Sequence, residues 1–195
     1  MTDSFETLAA DIRACRVCQG HLAHPCRPVL QGSSAARIRI IGQAPGTRVQ
    51  ASGRPFTDPS GDRLRDWMGV NEAEFYDPRL FAITPMGFCF PGLDAKGGDL
   101  PPRRECAPLW QDRLTQSLES VELTLLVGAH AQRHYLDLGP RETLTEAVLR
   151  WRDFLPRFVA LPHPSWRNTA WLRRNPWFEN EVLPFLQSRI REILV

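Results

Sequence analysis

Apolar positions along the chain fall into two patterns. Short stretches rich in apolar residues at Arg37 to Ile41, Leu80 to Thr84, Leu123 to Val127 and Phe158 to Leu161 predict four strands. The run LTLLV is continuous and stops at Gly128, as expected of a strand buried on both faces. Other stretches carry helical character, over residues 4–14, about 62–68, from just beyond Pro102 through LWQDRLTQSL, and near 129–137 and 141–151. Gly69 supplies a stop signal for the second of these. The last helix is expected from Pro176, with Asn175 as cap and Pro184 as a kink. In it Phe178, Val182, Leu186, Ile190 and Ile193 recur at helical spacing, so that face belongs to the core.

Strands alternating with helices imply parallel pairing through crossover connections. The expected fold is therefore α/β, a three-layer α/β/α arrangement around a central four-stranded, mainly parallel sheet. One domain covering 1–195 is expected, because no internal repeat, low-complexity tract or linker interrupts the pattern.

In open sheets of this class, ligands bind beyond the carboxyl ends of the strands. Three unusual loops follow predicted strands: GQAPG at 42–46, TPMGFC at 84–89, and the loop of LPHPSWRN at 161–168. The first lacks the GxGxxG spacing of a dinucleotide fold, and no GKS or GKT follows for a P-loop. Its backbone N–H groups still suit a carbonyl-bearing or anionic ligand. His163 stands between two prolines, which stiffen the support of its imidazole. Phe56, after Gly53, Arg54 and Pro55, reads equally as a plug of the core or as a stacking platform for a flat ring.

Composition changes this picture in two places. Apolar residues at 43% and charged residues at 24% are ordinary for a globular chain. A net charge of +2 does not by itself imply nucleic acid. Of the 24 basic residues, however, only Lys96 is a lysine. Arginine suits bidentate phosphate contacts, although arginine-rich codon usage explains the bias as well. The N-terminal MTDSFETLAADIRAC has no signal-peptide character, and no apolar run reaches membrane-spanning length, so a cytoplasmic protein without membrane association is expected.

The five cysteines are an odd number, which argues against a disulfide set in a reducing compartment. Cys15 and Cys18 form CxxC, and Cys89 and Cys106 flank one loop. Four thiolates complete a closed site, compatible with zinc or iron–sulfur chemistry. Cys26 is left over, and its neighbour His24 keeps a zinc site of mixed ligands open.

Taken in order, these segments resemble the uracil-DNA glycosylase superfamily, most closely its iron–sulfur branch, family 4. GQAPG is similar to the superfamily's first motif, SGRPF to the branch's GRPF segment, and LPHPS to the second motif, HPA or HPS. The cysteines match the branch's cluster ligands in order and approximate spacing. The resemblance implies a base and sugar pocket formed by Gly42, Gln43, Ala44 and Gly46. It makes Phe56 the ring stacked on a flipped uracil, and His163 the donor to the base carbonyl. Cys15, Cys18, Cys89 and Cys106 become ligands of a structural [4Fe-4S] cluster, with zinc or no metal as the alternatives. Ser165, Trp166, Arg167 and Asn168 fall where the superfamily enters the duplex. Arg173 and Arg174 read either as phosphate contacts or as a solvated basic face.

Two departures stand beside the matches. Thr47, Arg48, Val49 and Gln50 follow GQAPG where the branch carries acidic residues. Gln43 orients water but is no base near neutral pH, which leaves Asp58 or Asp62 to substitute. Pro85 replaces an asparagine that reads the uracil edge, leaving Thr84, Met86 or a backbone amide for that task. The resemblance thus implies a monomeric, monofunctional glycosylase acting on DNA that contains uracil or abasic sites. A lesion- or abasic-site-binding protein with weak or no catalysis is the alternative, and a nucleotide-binding metal or redox protein without a DNA role is a third reading.

Overall fold

The computed structural model describes residues 3–195; Met1 and Thr2, which open the segment read above as free of a targeting signal, lie outside the described residues. Four strands, β1 (Ile38–Ile41), β2 (Phe81–Ile83), β3 (Leu123–Val127) and β4 (Phe158–Leu161), form one sheet in the order β2-β1-β3-β4. All three pairings are parallel. The strand residues are buried almost throughout, and most of them are apolar.

The helices are α1 (Phe5–Ala14), α2 (Thr47–Ser52), α3 (Pro59–Met68), α4 (Glu72–Phe75), α5 (Cys106–Ser117), α6 (Ala129–Tyr135), α7 (Leu144–Leu149), α8 (Thr169–Arg174) and α9 (Leu183–Leu194). Buried side chains form two clusters. One contains residues of α3, α6, α7 and α9; the other packs α1 and α5 together. The sheet lies between them, giving the three-layer α/β/α architecture.

Local chemistry accounts for most boundaries. Asp58 caps α3 by accepting from the Gly61 amide, Pro59 occupies its first turn, and Gly69 ends it in the left-handed region at φ 64°. Helices α2, α4 and α8 are additions to the predicted set. They have only six, four and six residues, too short to show an apolar period. Asn175 is not the cap expected of it. Its Oδ1 accepts from Trp177 Nε1 and its Nδ2 donates to the Trp171 carbonyl. Pro184 falls in the first turn of α9, directly after a π-helical turn over Phe178–Val182. A proline has no N–H for the carbonyl four residues back, and the widened turn is the local response.

On the α5 side of the sheet, a fully buried arginine organises a polar knot. Arg39 donates to Thr84 Oγ1 (2.7 Å), Thr115 Oγ1 (2.8 Å) and Gln111 Oε1 (2.8 Å). Tyr135 Oη also donates to Gln111 Oε1, while Gln111 Nε2 donates to the Pro85 carbonyl at 2.8 Å. The segment leaving β2 is thereby held from behind.

Candidate functional site

The carboxyl ends of β1, β2 and β4 open into a single pocket. Gly42, Gln43, Ala44, Pro45 and Gly46 follow β1, Pro85 follows β2, and His163 follows β4; all line it, together with Phe56, Asp58 and Asp99. The glycine loop is tied to the neighbouring strand exit, because Met86 N donates to the Gly42 carbonyl and Gly87 N to the Gln43 carbonyl, both at 2.9 Å. Those amides are therefore occupied by the loop.

Phe56 forms one wall in a conformation that its surroundings enforce. It is the one non-glycine residue with positive φ among the described residues, at 53°. Its carbonyl accepts from Tyr76 Oη at 3.0 Å, and Tyr76 Oη also reaches the Pro55 carbonyl at 2.8 Å. A Cβ added at Gly61 would stand 1.9 Å from the Phe56 carbonyl oxygen, so only glycine fits there. A Cβ at Gly42 would stand 3.3 Å from the edge of the Phe56 ring. The ring meets Phe75 edge-on at 6.0 Å while also lining the pocket. Core packing and a pocket wall are thus two faces of one side chain. A strained residue kept in place by such neighbours is characteristic of functional sites.

His163 supplies a polar part of the pocket wall. Its Nδ1 accepts from the Ser165 amide at 3.2 Å, and its carbonyl accepts from Asn168 Nδ2 at 2.7 Å. The short turn after it is closed by Ser165 Oγ, which accepts from the Arg167 amide. Burial pushes the imidazole pKa below its ordinary value, against the opposite pull of Asp58 and Asp99. A neutral ring accepting at Nδ1 carries its proton on Nε2. The site therefore offers an uncharged N–H donor.

Several expected residues take other positions. Thr84 and Met86 do not line the pocket. Thr84 faces away and accepts from Arg39, while Met86 packs in the main core. Strand alternation explains Thr84: Ile83 and Pro85 face the pocket, and position 84 points to the other layer. Asp62 is exposed on α3 and paired with Arg65, outside the pocket lining. Asp58 does line the pocket while capping α3. Gln43 is tethered through Nε2 to the Leu100 carbonyl at 3.1 Å. The TRVQ segment forms α2, and its Val49 lines the pocket.

Asp99 is the residue that sequence reasoning missed. It stands at the rim, exposed on one side and lining the pocket on the other. The turn carrying it is a built structure. Leu93 and Asp99 bridge antiparallel, and Asp94 Oδ1 accepts from the amides of Lys96 and Gly98, each at 2.8 Å. Leu100 ties to Gln43, and Arg167 Nη2 donates to the Gly97 carbonyl at 3.3 Å, so the turn spans both motif loops. Burial raises the pKa of the Asp99 carboxyl, Asp58 and Asp94 push the same way, and Arg167 and His163 oppose them. The available signal was a loop of FPGLDAKGGDLPP holding just two acids, one of which the turn itself consumes.

Beyond His163, Trp166 is 75% exposed, an unusual position for so large an apolar ring. Arg167, Arg173 and Arg174 are exposed alongside it. Asn168 uses its amide on His163, as a brace of the loop. Around a second, apolar cavity the chain gathers Cys15, Cys18, Cys26, Cys89 and Cys106 with Ile12, Pro28, Phe88 and Trp110. Cys26, left over in the sequence, thus joins the other four. His24 instead stacks on Phe90 at 5.3 Å and does not line that cavity. Burial raises the Cys18 thiol and pushes Cys89 to about 12 and Cys106 to about 11. Among the described residues, no three His, Cys, Asp or Glu side chains are grouped to hold a single metal ion. No helix among them is long and apolar enough to cross a membrane.

A solved structure titled as wild-type Pedobacter heparinus SMUG2 is similar at 18% identity, over 80% of this chain and 72% of that one, with a TM-score of 0.35. The family model described as the Uracil DNA glycosylase superfamily matches residues 30–187, which contain both motif loops, Phe56 and Asp99. With four fifths of its length matched, from the strand before the glycine loop to the final helix, the chain belongs to the uracil-DNA glycosylase superfamily.

Proposed function

We propose that the protein excises uracil from DNA, hydrolysing the N-glycosidic bond of a flipped nucleotide and leaving an abasic site. The observation that carries this reading is the presence of the Phe56 ring and a neutral, N–H-donating His163 in the lining of one pocket. Breaking the bond between base and sugar leaves negative charge on the uracil and cationic character on the sugar. A preorganised donor aimed at the base oxygen stabilises that charge, an effect of roughly 2.7 to 4 kcal/mol per donor. Phe56 supplies the flat apolar surface against which an extruded base stacks. Asp58 and Asp99 add two carboxylates to the pocket lining, which favours hydrolysis over lesion binding alone.

On the DNA side, Trp166 is the side chain suited to fill the gap left by the flipped base. Arg167, Arg173 and Arg174 are the phosphate contacts of this reading. We also propose that Cys15, Cys18, Cys89 and Cys106 hold a [4Fe-4S] cluster. Converging thiols in an apolar cavity fit such a cluster. When bound, the cluster would act structurally. Its ligands come from the end of α1 and the turn after it, the loop after β2 and the start of α5.

Incubation with uracil-containing oligonucleotide, followed by alkali, tests the activity. Strand breaks at the uracil position are expected; intact single- and double-stranded substrates would overturn it. Tight binding of uracil or abasic DNA without breaks would instead indicate a lesion-binding protein.

A further inference from the structure

We propose that Asp99 is the catalytic carboxylate of this site, facing the sugar cation and receiving the proton of the attacking water. The inference rests on the glycosylase reading above and names the group that the TRVQ segment does not provide. Two carboxylates line the pocket, and their surroundings give them different work. Asp58 Oδ1 accepts from the Gly61 amide at 3.2 Å as the cap of α3. That bond commits one Asp58 oxygen to holding the start of the helix. Asp99 accepts no hydrogen bond from the protein among the described residues, so its oxygens are open to water. They lie against the glycine loop, 3.6 and 4.0 Å from where a Cβ on Gly46 would stand.

The turn that presents Asp99 is fixed at both ends by the two motif loops, through Gln43 and Arg167. Such a tether sets the carboxylate relative to both Gly46 and His163. The titratable and charged groups around it are the His163 imidazole, Arg167, Asp58 and Asp94. In the step proposed, the bond between C1′ and the base nitrogen breaks and its electron pair leaves with uracil, whose oxygen accepts from His163. Water oxygen bonds to C1′ and its proton passes to Asp99. That proton then returns to solvent or to the released uracil anion.

The test compares wild type, Asp99→Asn and Asp58→Asn in two assays. The first is single-turnover excision of uracil. The second is the affinity for duplexes carrying a cationic pyrrolidine abasic analogue relative to a neutral tetrahydrofuran one. Asp99→Asn should slow excision by roughly 100-fold or more. It should also remove a wild-type preference for the cationic analogue of roughly tenfold. Asp58→Asn should retain most of that preference, and unchanged thermal melting of each variant excludes misfolding. Excision by Asp99→Asn within about threefold of wild type would overturn the proposal. So would a cation preference that is absent from wild type, or that Asp58→Asn alone abolishes. If wild type leaves uracil in place yet prefers the cation through Asp99, the uracil reading fails and the assignment of Asp99 stands.

Discussion

The backbone amide of Ser165 donates to Nδ1 of His163, two residues before it, and this contact determines which ring nitrogen bears the proton. The donor nitrogen is left for the pocket. Because burial also depresses the pKa, the ring acts as a neutral donor at physiological pH.

A pH dependence follows with a definite sign. Protonation would place a second proton on Nδ1, in conflict with the Ser165 amide. Excision by wild type should hold through neutrality and fall only as pH drops through a value below the ordinary 6.5 of histidine. Single-turnover rates across pH check this; a loss of rate on raising pH through neutrality would show that the imidazolium is the active form.

Replacing His163 by Ala removes the donor and leaves the exposed DNA-facing side chains intact. Turnover should fall by roughly 100-fold or more while affinity for abasic DNA changes little. Parallel kinetics and binding titrations separate the two, and an unchanged rate would remove His163 from the reaction.

Gly61→Ala tests the wall that holds Phe56. The added methyl carbon would meet the Phe56 carbonyl at 1.9 Å, and backbone atoms do not yield as a flexible side chain does. The expected cost is about 3 kcal/mol, seen as a lowered melting temperature. A variant that melts like wild type would show that α3 does not constrain Phe56.

Trp166 is predicted to matter to DNA and not to stability. Its ring is 75% exposed, so Trp166→Ala should change folding stability by no more than about 0.5 kcal/mol. Excision from duplex should weaken more than excision from single strands, since only the duplex has a stack to enter. Equal losses on both substrates would argue against insertion.

The proposed cluster predicts a division of roles among the cysteines. Ser substitutions at Cys15, Cys18, Cys89 or Cys106 should remove iron and the broad visible absorbance of protein purified without oxygen. Cys26→Ser should retain both, although Cys26 lines the same cavity. Iron analysis of the five variants decides this, and a colourless wild type containing zinc would replace the iron–sulfur assignment. Because burial raises the Cys89 and Cys106 thiols, which would bind iron as thiolates, cluster assembly should also release protons, measurable in weakly buffered solution.

What the sequence determined by itself was whatever depends on local patterning. Short, mostly apolar stretches located β1 to β4, and Gly69 located the end of α3, because burial and backbone handedness leave marks one residue at a time. Motif loops placed after strands identified Gly42 to Gly46, Phe56 and His163 as neighbours, since parallel strands deliver their exits to one edge. Only the tertiary structure decided which way the side chains beyond those exits point. Thr84 was lost to Arg39, a partner 45 positions away, and Pro85 took the pocket face. Asp99 reached the pocket because Gln43 and Arg167 hold its turn from opposite sides, at 57 and 70 positions' separation from their carbonyl partners. Cys26 joined the other cysteines through the path of its loop. Contacts between distant segments follow from the packing of layers, and no local period in the sequence records them.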